Sequence, residues 1–292
     1  MNDRFSSFHP IFLFAYFVIL IGCICTQMHP VLLVTACLTG MLYETQLRRF
    51  RWSAYLKLYI PVLLLITAWN MAFVHRGITA LFVLWNGKRI TLEAFIYGLD
   101  TGLLLVAMMI WVQILSLVFT EEKWMEVLGR ISPTLALLLS MVFRFIPLYQ
   151  ERLKKIRQVR SANAVSDSSF RHRIKCAASD WSVLTSWALE HAVDTADSSK
   201  VREYGKRKRS RYSIFRVTGR DIAMFVLAGG LALALIWLVL KGAFKISFYP
   251  RIHIHSGTEL WIGTAVFCVY SGLPFFWDVS RRILWQYYRL KI

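Results

Sequence analysis

The feature that most constrains the fold of this chain is a series of long apolar runs. The longest extends from Gly98 to Phe119 and is interrupted early by Asp100. A helix needs about 20 predominantly apolar residues to cross the hydrocarbon core of a bilayer, and this run meets that requirement. Apolar residues make up 57% of the 292 residues and the mean hydropathy is positive, outside the range of ordinary soluble domains. The chain is therefore predicted to be an integral membrane protein.

Further apolar runs are long enough to form membrane helices or half-helices. They cover residues Ile11–Cys25, Val31–Tyr43, Tyr59–Phe73, Leu135–Tyr149, Ile222–Leu240 and Leu260–Phe276. We therefore expect an all-α, polytopic integral membrane protein with roughly six to eight membrane helices or half-helices and a cytoplasmic helical domain.

A strongly basic segment separates the fifth of these seven runs from the last two. Residues 149–220 contain seventeen Lys or Arg against seven Asp or Glu, and no apolar run long enough to span. Because Lys and Arg are enriched in cytoplasmic loops, this segment is predicted to be a cytoplasmic domain. Its pattern predicts helices from Leu148 to about Ala164 and from about Phe170 to Glu203. We thus divide the chain into N-terminal transmembrane helices (1–148), the basic domain (149–220), and a C-terminal helix pair with a basic tail (221–292).

The run Leu135–Tyr149 conflicts with the charge rule. If this run crossed the membrane once, the basic segment that follows it would fall on the outer side. Either the run is re-entrant or lies along the membrane surface, or residues Thr79–Trp85 contribute an additional crossing. The sequence alone leaves these alternatives open.

Motifs of nucleotide-binding proteins and of common hydrolases are absent from the sequence. It contains no G-x-x-x-x-G-K-[ST] loop, no H-E-x-x-H and no G-x-S-x-G. We therefore expect no enzymatic activity, no catalytic residue and no cofactor bound by this chain. His253 and His255 alternate in a loop, but a closed zinc site needs four ligands, so we also expect no metal site.

Two ionisable residues lie within apolar runs. Asp100 is close to one end of its run, where it either reaches the solvated interface or takes part in substrate or proton binding. Arg144 precedes the basic segment, and we expect it to pair with lipid phosphates or with a neighbouring carboxylate. Arg144 and the nearby Pro147 are assigned to the membrane interface.

A run of four basic residues follows the second predicted cytoplasmic helix. It consists of Lys206, Arg207, Lys208 and Arg209. Next to a membrane span, such a run favours contact with anionic lipid headgroups, worth about 1 kcal/mol per basic residue, over nucleic acid binding. We therefore expect the lipid bilayer, and no nucleic acid, as its partner.

The second predicted cytoplasmic helix carries an apolar stripe at helical spacing. The stripe consists of Trp181, Leu184, Ala188 and Ala192. A stripe of this kind packs against the protein's own membrane domain or offers itself to the groove of a partner, and composition does not separate the two.

Several short motifs occur one after another over nearly the whole chain. They are His9-Pro10, Gly77 ahead of Leu81-Phe82, Thr91-Leu92-Glu93-Ala94, Thr120 with Glu121-Glu122, Pro133, and Arg144-Phe145-Ile146-Pro147-Leu148. In this order the sequence resembles the transmembrane T component of energy-coupling factor transporters, the scaffold subunit of bacterial vitamin and metal-ion importers.

The most specific mark of that family is a pair of Ala-Arg-Gly motifs near the ends of two cytoplasmic coupling helices, which insert into grooves on two ABC-type ATPases. The first motif falls on Ala162, Asn163 and Ala164. The second falls on Val201, Arg202 and Glu203, followed by Tyr204-Gly205. Arg202 is thus the only motif arginine retained, and Asn163 cannot form the bidentate pair that arginine makes with a carboxylate.

The resemblance implies a scaffold that transmits ATP-driven motion of two ABC-type ATPase subunits to a membrane-embedded substrate-binding S component. ATP and Mg²⁺ would bind to the partner ATPases, and the vitamin or metal ion would bind to the S component. The resemblance also implies a multi-pass location in the bacterial cytoplasmic membrane, with the basic coupling domain on the cytoplasmic side.

Two other functions are weighed against the scaffold. A self-contained secondary transporter needs its own midplane site, usually with interrupted helices and internal repeats, and the two halves show no convincing repeat. A membrane-bound enzyme acting on lipid needs clustered polar side chains at one interface. The candidates for such a cluster are His172, Asp180, His191 and Asp194.

Overall fold

The structure is a computed structural model that describes residues 5–47, 52–74, 77, 79–83, 89–163, 169–203, 215, 217–248, 253–254 and 257–290. Within these residues the chain is almost entirely helical. After a 3₁₀ turn at Phe5–Ser7, the helices are α1 (Pro10–Thr26), α2 (Pro30–Leu47), α3 (Trp52–Phe73), α4 (Leu92–Val118), α5 (Glu121–Ile131), α6 (Pro133–Asn163), α7 (Phe170–Val201), α8 (Gly219–Leu240) and α9 (Thr258–Leu290). The predicted all-α class is confirmed in this coarse form.

Short antiparallel hairpins accompany the helices. Strand β1 (Ala80–Val83) pairs with β2 (Arg89–Thr91), and β3 (Ile246–Ser247) pairs with β4 (His253–Ile254). Hydrophobic runs did not predict them because each strand is only two to four residues long.

Several helices are long and apolar enough to cross a bilayer. Among the described residues, four meet both criteria: Leu92–Val118, Pro133–Ala162, Gly219–Leu240 and Thr258–Ser280. Pro10–Thr26 and Lys57–Phe73 are shorter apolar helices. The chain is thus an α-helical protein with the helices of a multi-pass membrane protein, whereas the expected six to eight spans stay a prediction.

The chain forms two compact units. Unit 1 comprises Met1–Thr120 and Phe215–Ile292, and unit 2 comprises Glu121–Ile214. The run Leu135–Tyr149 and the first predicted cytoplasmic helix are one continuous helix, α6, so the predicted division after residue 148 lies inside a helix. The amphipathic helix α5, which begins with Glu121-Glu122 in its first turn, was not predicted.

Unit 1 is built on close packing of α2 and α3 against α4. A Cβ atom at Gly40 would lie 2.7 Å from Cγ2 of Ile110, so only glycine permits this approach of α2 to α4. Trp111 is completely buried there, and its indole N–H donates to the carbonyl of Ala36 at 3.0 Å. The interior of unit 1 is therefore a close-packed core.

Polar links join the two ends of the chain inside unit 1. The hydroxyl of Tyr16 donates to the carbonyl of Tyr270 at 2.9 Å, and the hydroxyl of Tyr270 donates to the carbonyl of Tyr16 at 3.1 Å. The backbone N–H of Phe5 donates to the buried carboxylate of Asp278 at 3.2 Å. These bonds fix α1 to α9 although more than 250 residues separate them in sequence.

Candidate functional site

The candidate site is the hairpin of α6 and α7 in unit 2, in which the two helices run antiparallel. At one end of their contact, Phe145 and Tyr149 of α6 meet Trp187 and His191 of α7. The rings of Trp187 and His191 stack at 5.2 Å with planes 7° apart, and Phe145 and Tyr149 each approach edge-on at 5.7 Å. The guanidinium of Arg152 lies 5.0 Å above the Trp187 ring, in cation–π geometry. This aromatic cluster holds the middle of the two helices together.

An ionic contact joins the two helices closer to the C-terminus of α6 and the N-terminus of α7. Asp180 of α7 is buried and forms ion pairs with Arg160 and, at 3.8 Å, with Arg157 of α6. Arg160 also donates to the backbone carbonyl of Cys176. A buried carboxylate needs such partners, so the polarity of Asp180 sets the register of α7 against α6.

The predicted apolar stripe of α7 coincides only in part with the face that packs on α6. Leu184 is buried and Ala188 is half-buried, but Trp181 is 60% exposed and Ala192 is exposed. The face in contact with α6 includes Asp180, Leu184, Trp187 and His191. Its residues recur at helical spacing, but half of them are titratable, so a search for hydrophobic periodicity missed them.

The positions of both expected ATPase-coupling motifs lie at the C-terminal ends of the two hairpin helices. Ala162 is exposed in the last turn of α6, and Asn163 ends that helix; Ala164 and the side chain of Asn163 lie outside the described part of the structure. Val201 is the last residue of α7 and is 83% exposed, and Arg202, also exposed, caps the helix. Tyr204 and Gly205 lie outside the described residues.

Glu203 has an unusual backbone conformation at the second motif. Its φ of +54° lies in the left-handed region, where a side chain is disfavoured and glycine is the usual residue. Its N–H donates to the carbonyl of Lys200 at 2.9 Å, which closes the end of α7. Helices often end with such a left-handed residue, most often glycine. The backbone at position 203 therefore has the conformation of glycine, although the residue is glutamate.

Residues assigned to the membrane interface are only partly described. Arg144 and Pro147 are both exposed on α6. The basic run Lys206–Arg209 lies outside the described residues. A shallow groove open to solvent lies on the surface of α6, lined by Lys154 and Arg157 together with Gln150, Leu153, Gln158 and Ser161. Its lining includes two basic side chains, of which Arg157 pairs with Asp180.

The side chains proposed for a lipid-modifying enzyme do not form one site. Asp180 is held by arginines, His191 is stacked on Trp187, and Asp194 is exposed. His172 lies 3.3 Å from the Cys176 thiol, in the first turn of α7. Among the described residues, no group of three or more His, Cys, Asp or Glu side chains could hold a metal ion; of the His253–His255 pair, the His253 side chain and all of His255 lie outside that description.

Unit 1 contains several buried ionisable side chains, and two of them, Asp100 and His29, concern the interpretation of the sequence. Asp100 in α4 is only 1% exposed, and neither carboxylate oxygen finds a hydrogen-bond partner among the described residues. The prediction that Asp100 reaches the solvated interface is therefore wrong. His29, in the turn between α1 and α2, is 2% exposed and packs edge-on against Phe244. Burial lowers the pKa of His29 because it disfavours the charged imidazolium.

No protein-family model matches this chain, and no curated protein is significantly similar to it in sequence.

Proposed function

We propose that this chain is the transmembrane scaffold and coupling subunit of an energy-coupling factor importer. In this role the α6–α7 hairpin is a rigid lever whose helix ends contact two ABC-type ATPases. ATP-driven closure of the ATPases moves the hairpin, and the hairpin tilts a membrane-embedded S component that carries a vitamin or a metal ion. The chain itself binds neither ATP nor substrate and resides in the bacterial cytoplasmic membrane.

The observation that carries this proposal is the backbone of Glu203. The resemblance aligns residues 201–203 with Ala-Arg-Gly, and the left-handed φ falls on the residue aligned with glycine. A glycine in the family motif is explained physically if the coupling helix must end in that conformation. The alignment of the second motif is thus supported by a property of the backbone that was not used to make it.

The construction of the hairpin supports the same role. A lever must transmit force without bending or sliding, and α6 and α7 are held at two separated points by the aromatic cluster and by the Asp180 ion pairs. The aromatic cluster involves rings in direct contact, which resist sliding because close-packed groups have discrete arrangements. The exposed Arg202 lies beyond these contacts, free to enter a groove on a partner.

The decisive variant is Arg202→Glu, because it reverses the charge of the retained motif arginine. We expect ATP hydrolysis by the assembled complex to become uncoupled from substrate uptake, measured together in proteoliposomes. The matched control is Lys200→Glu, which reverses an exposed charge two residues away that pairs with Asp197 on its own helix at 3.2 Å. Unchanged transport by the Arg202 variant with intact assembly would refute the proposal, as would equal loss in both variants.

Gentle purification from the native membrane tests the partners directly. Two ABC-type ATPases and a small membrane protein should co-purify with the chain. Uptake by the purified chain alone in liposomes would instead support the self-contained transporter, and the scaffold would then be wrong.

A further inference from the structure

Unit 1 encloses a carboxyl group that has no partner among the described residues. Asp100 lies in the third turn of α4, is 1% exposed, and neither oxygen of its side chain takes part in a hydrogen bond there. An ionised carboxylate without a partner is very costly in an apolar interior, so such a group is neutralised by a cation or by a proton. The surroundings of Asp100 decide between the two.

The other buried aspartates of the described residues have partners. Asp278 accepts a hydrogen bond from the backbone N–H of Phe5 at 3.2 Å, and Asp180 pairs with Arg157 and Arg160. Contacts of this kind stabilise the ionised form of a carboxyl group. Asp100 has no such contact, so its environment favours the neutral form.

The packing of α4 places Asp100 toward α2 and away from α3. Gly98 and Gly102 lie on the α3 side, where an added Cβ atom would be 3.1 Å or 3.2 Å from a backbone carbonyl oxygen of α3. Successive residues of a helix are about 100° apart, so Asp100 lies roughly opposite both glycines. Trp111, three turns further along α4, shares its side and donates to the carbonyl of Ala36 in α2. Asp100 therefore lies between packed helices.

The ionisable side chains near this end of α4 do not neutralise Asp100. On α1, α2, the turn that joins them and α4 itself, they are Cys23, Cys25, His29, Cys37, Glu93 and Tyr97. None of them forms an ion pair or a hydrogen bond with Asp100. Burial lowers the pKa of His29, the single base in this set, and so favours its uncharged form. The α3 side chains at the glycine contacts do not titrate, and the side chain of Arg89 in β2 lies outside the described residues.

We propose that Asp100 is a proton-binding site, which carries a proton at neutral pH and gives it up to solvent at a higher pH. An ordinary aspartate has a pKa of about 3.9 and is ionised at neutral pH. A proton needs no further ligand, whereas a metal cation needs several, and no group of three or more His, Cys, Asp or Glu side chains among the described residues could hold one. Loss of the proton would place a charge between α4 and α2, so we expect it to loosen their contact. This inference does not rest on coupling to ATPases.

Infrared spectroscopy of the full chain in lipid nanodiscs tests the protonation directly. At neutral pH, the difference between the spectra of the wild type and of Asp100→Asn should contain the carbonyl stretching band of a protonated carboxyl group. The matched control is Asp197→Asn, which removes an exposed carboxylate paired with Lys200, and its difference spectrum should contain the bands of an ionised carboxylate. Because asparagine is uncharged and has the shape of neutral aspartic acid, Asp100→Asn should fold and unfold at nearly the wild-type temperature.

Several results of this experiment would overturn the proton site. One is a difference spectrum of Asp100→Asn that contains only the bands of an ionised carboxylate. Another is a protonated band that ionised-carboxylate bands replace when sodium or potassium salt is added, because the site would then hold a metal cation. Failure of Asp100→Asn to fold would also contradict the proposal, since the wild-type side chain would then not be an uncharged group of the same shape.

The native cysteines report the expected loosening. Cys37 of α2 is 7% exposed, and its thiol lies 3.9 Å from the carbonyl oxygen of Leu103, one turn from Asp100. We compare the rates at which an uncharged, membrane-permeant maleimide labels Cys37 in the wild type and in Asp100→Asn, because their ratio cancels the ionisation of the thiol itself. The ratio should be close to one at neutral pH and rise several-fold as the pH increases. At the exposed Cys25 it should stay close to one. A ratio at Cys37 that does not change with pH, or an equal rise at both cysteines, would overturn the proposed loosening.

Discussion

The two units of this chain stabilise their helices in different ways. Unit 1 buries large side chains completely, including Trp111 and Tyr270, and joins distant parts of the chain by buried hydrogen bonds. In unit 2, the apolar side chains that are buried among the described residues are Val127 and Leu184. Its long helices are held by a narrow seam of aromatic and ionic contacts. Unit 1 thus has a core of its own, whereas the described residues of unit 2 bury few apolar side chains.

The largest expected effect breaks the core of unit 1. Trp111→Ala removes a fully buried indole and its hydrogen bond to Ala36, so we expect a loss of about 4 kcal/mol in the stability of unit 1. The unfolding temperature in detergent should fall sharply, while hydrogen exchange in α6 and α7 should change little. Trp69→Ala is the control. Trp69 is 62% exposed, so its removal should lower the stability of unit 1 by less than about 0.5 kcal/mol. Equal losses in the two variants would contradict the described core.

A second variant tests the seam of unit 2. Asp180→Ala leaves Arg157 and Arg160 without their carboxylate, and we expect the hairpin to open more easily by about 2 kcal/mol, since the arginines remain partly solvated. Amides of residues 176–191 should exchange faster, with no change in unit 1. Asp197→Ala removes an exposed carboxylate that pairs with Lys200 of its own helix and should have little effect. Unchanged amide protection in Asp180→Ala would show that the aromatic cluster alone holds α6 and α7 together.

A third variant sharpens the comparison at the tip of unit 2. Glu203→Gly places glycine where φ is +54°, so we expect α7 to end more stably, by about 1 kcal/mol. Slower hydrogen exchange over residues 198–203 would report the gain. Lys200→Gly places glycine inside the helix and should instead destabilise the end of α7 by about the same amount. Faster exchange in Glu203→Gly would mean that the glutamate side chain stabilises this end.

The smallest expected effect concerns pH and unit 1. Because burial lowers the folded-state pKa of His29, the unfolded chain binds a proton more readily than the folded one. This contribution to stability is complete above the ordinary histidine pKa of about 6.5 and is lost as the pH falls below it. The unfolding temperature should decline on acidification, and His29→Phe should flatten that decline. An identical pH profile in the variant would assign the decline to other groups.

Much of the fold followed from the sequence because membrane helices are long and their apolar runs are continuous. The runs Ile11–Cys25, Ile222–Leu240 and Leu260–Phe276 fall within α1, α8 and α9, and the helix predicted from about Phe170 to Glu203 agrees with α7 to within two residues. The short hairpins and α5 were missed because they carry no long apolar signal. The burial of Asp100 was missed because its position near a run end favoured the interface, and burial depends on the helices packed around it.

By itself, the sequence determined the helical membrane class and the position of the basic segment, and it predicted a coupling motif at residues 201–203. Those properties depend on local composition and spacing, which a chain carries before it folds. Only the tertiary structure decided that α6 and α7 meet through Asp180, Trp187 and His191, that Asp100 is buried, and that Glu203 has a glycine-like backbone. Such properties depend on which distant side chains meet and on how each helix end closes, and neither is set by residues a turn or two away.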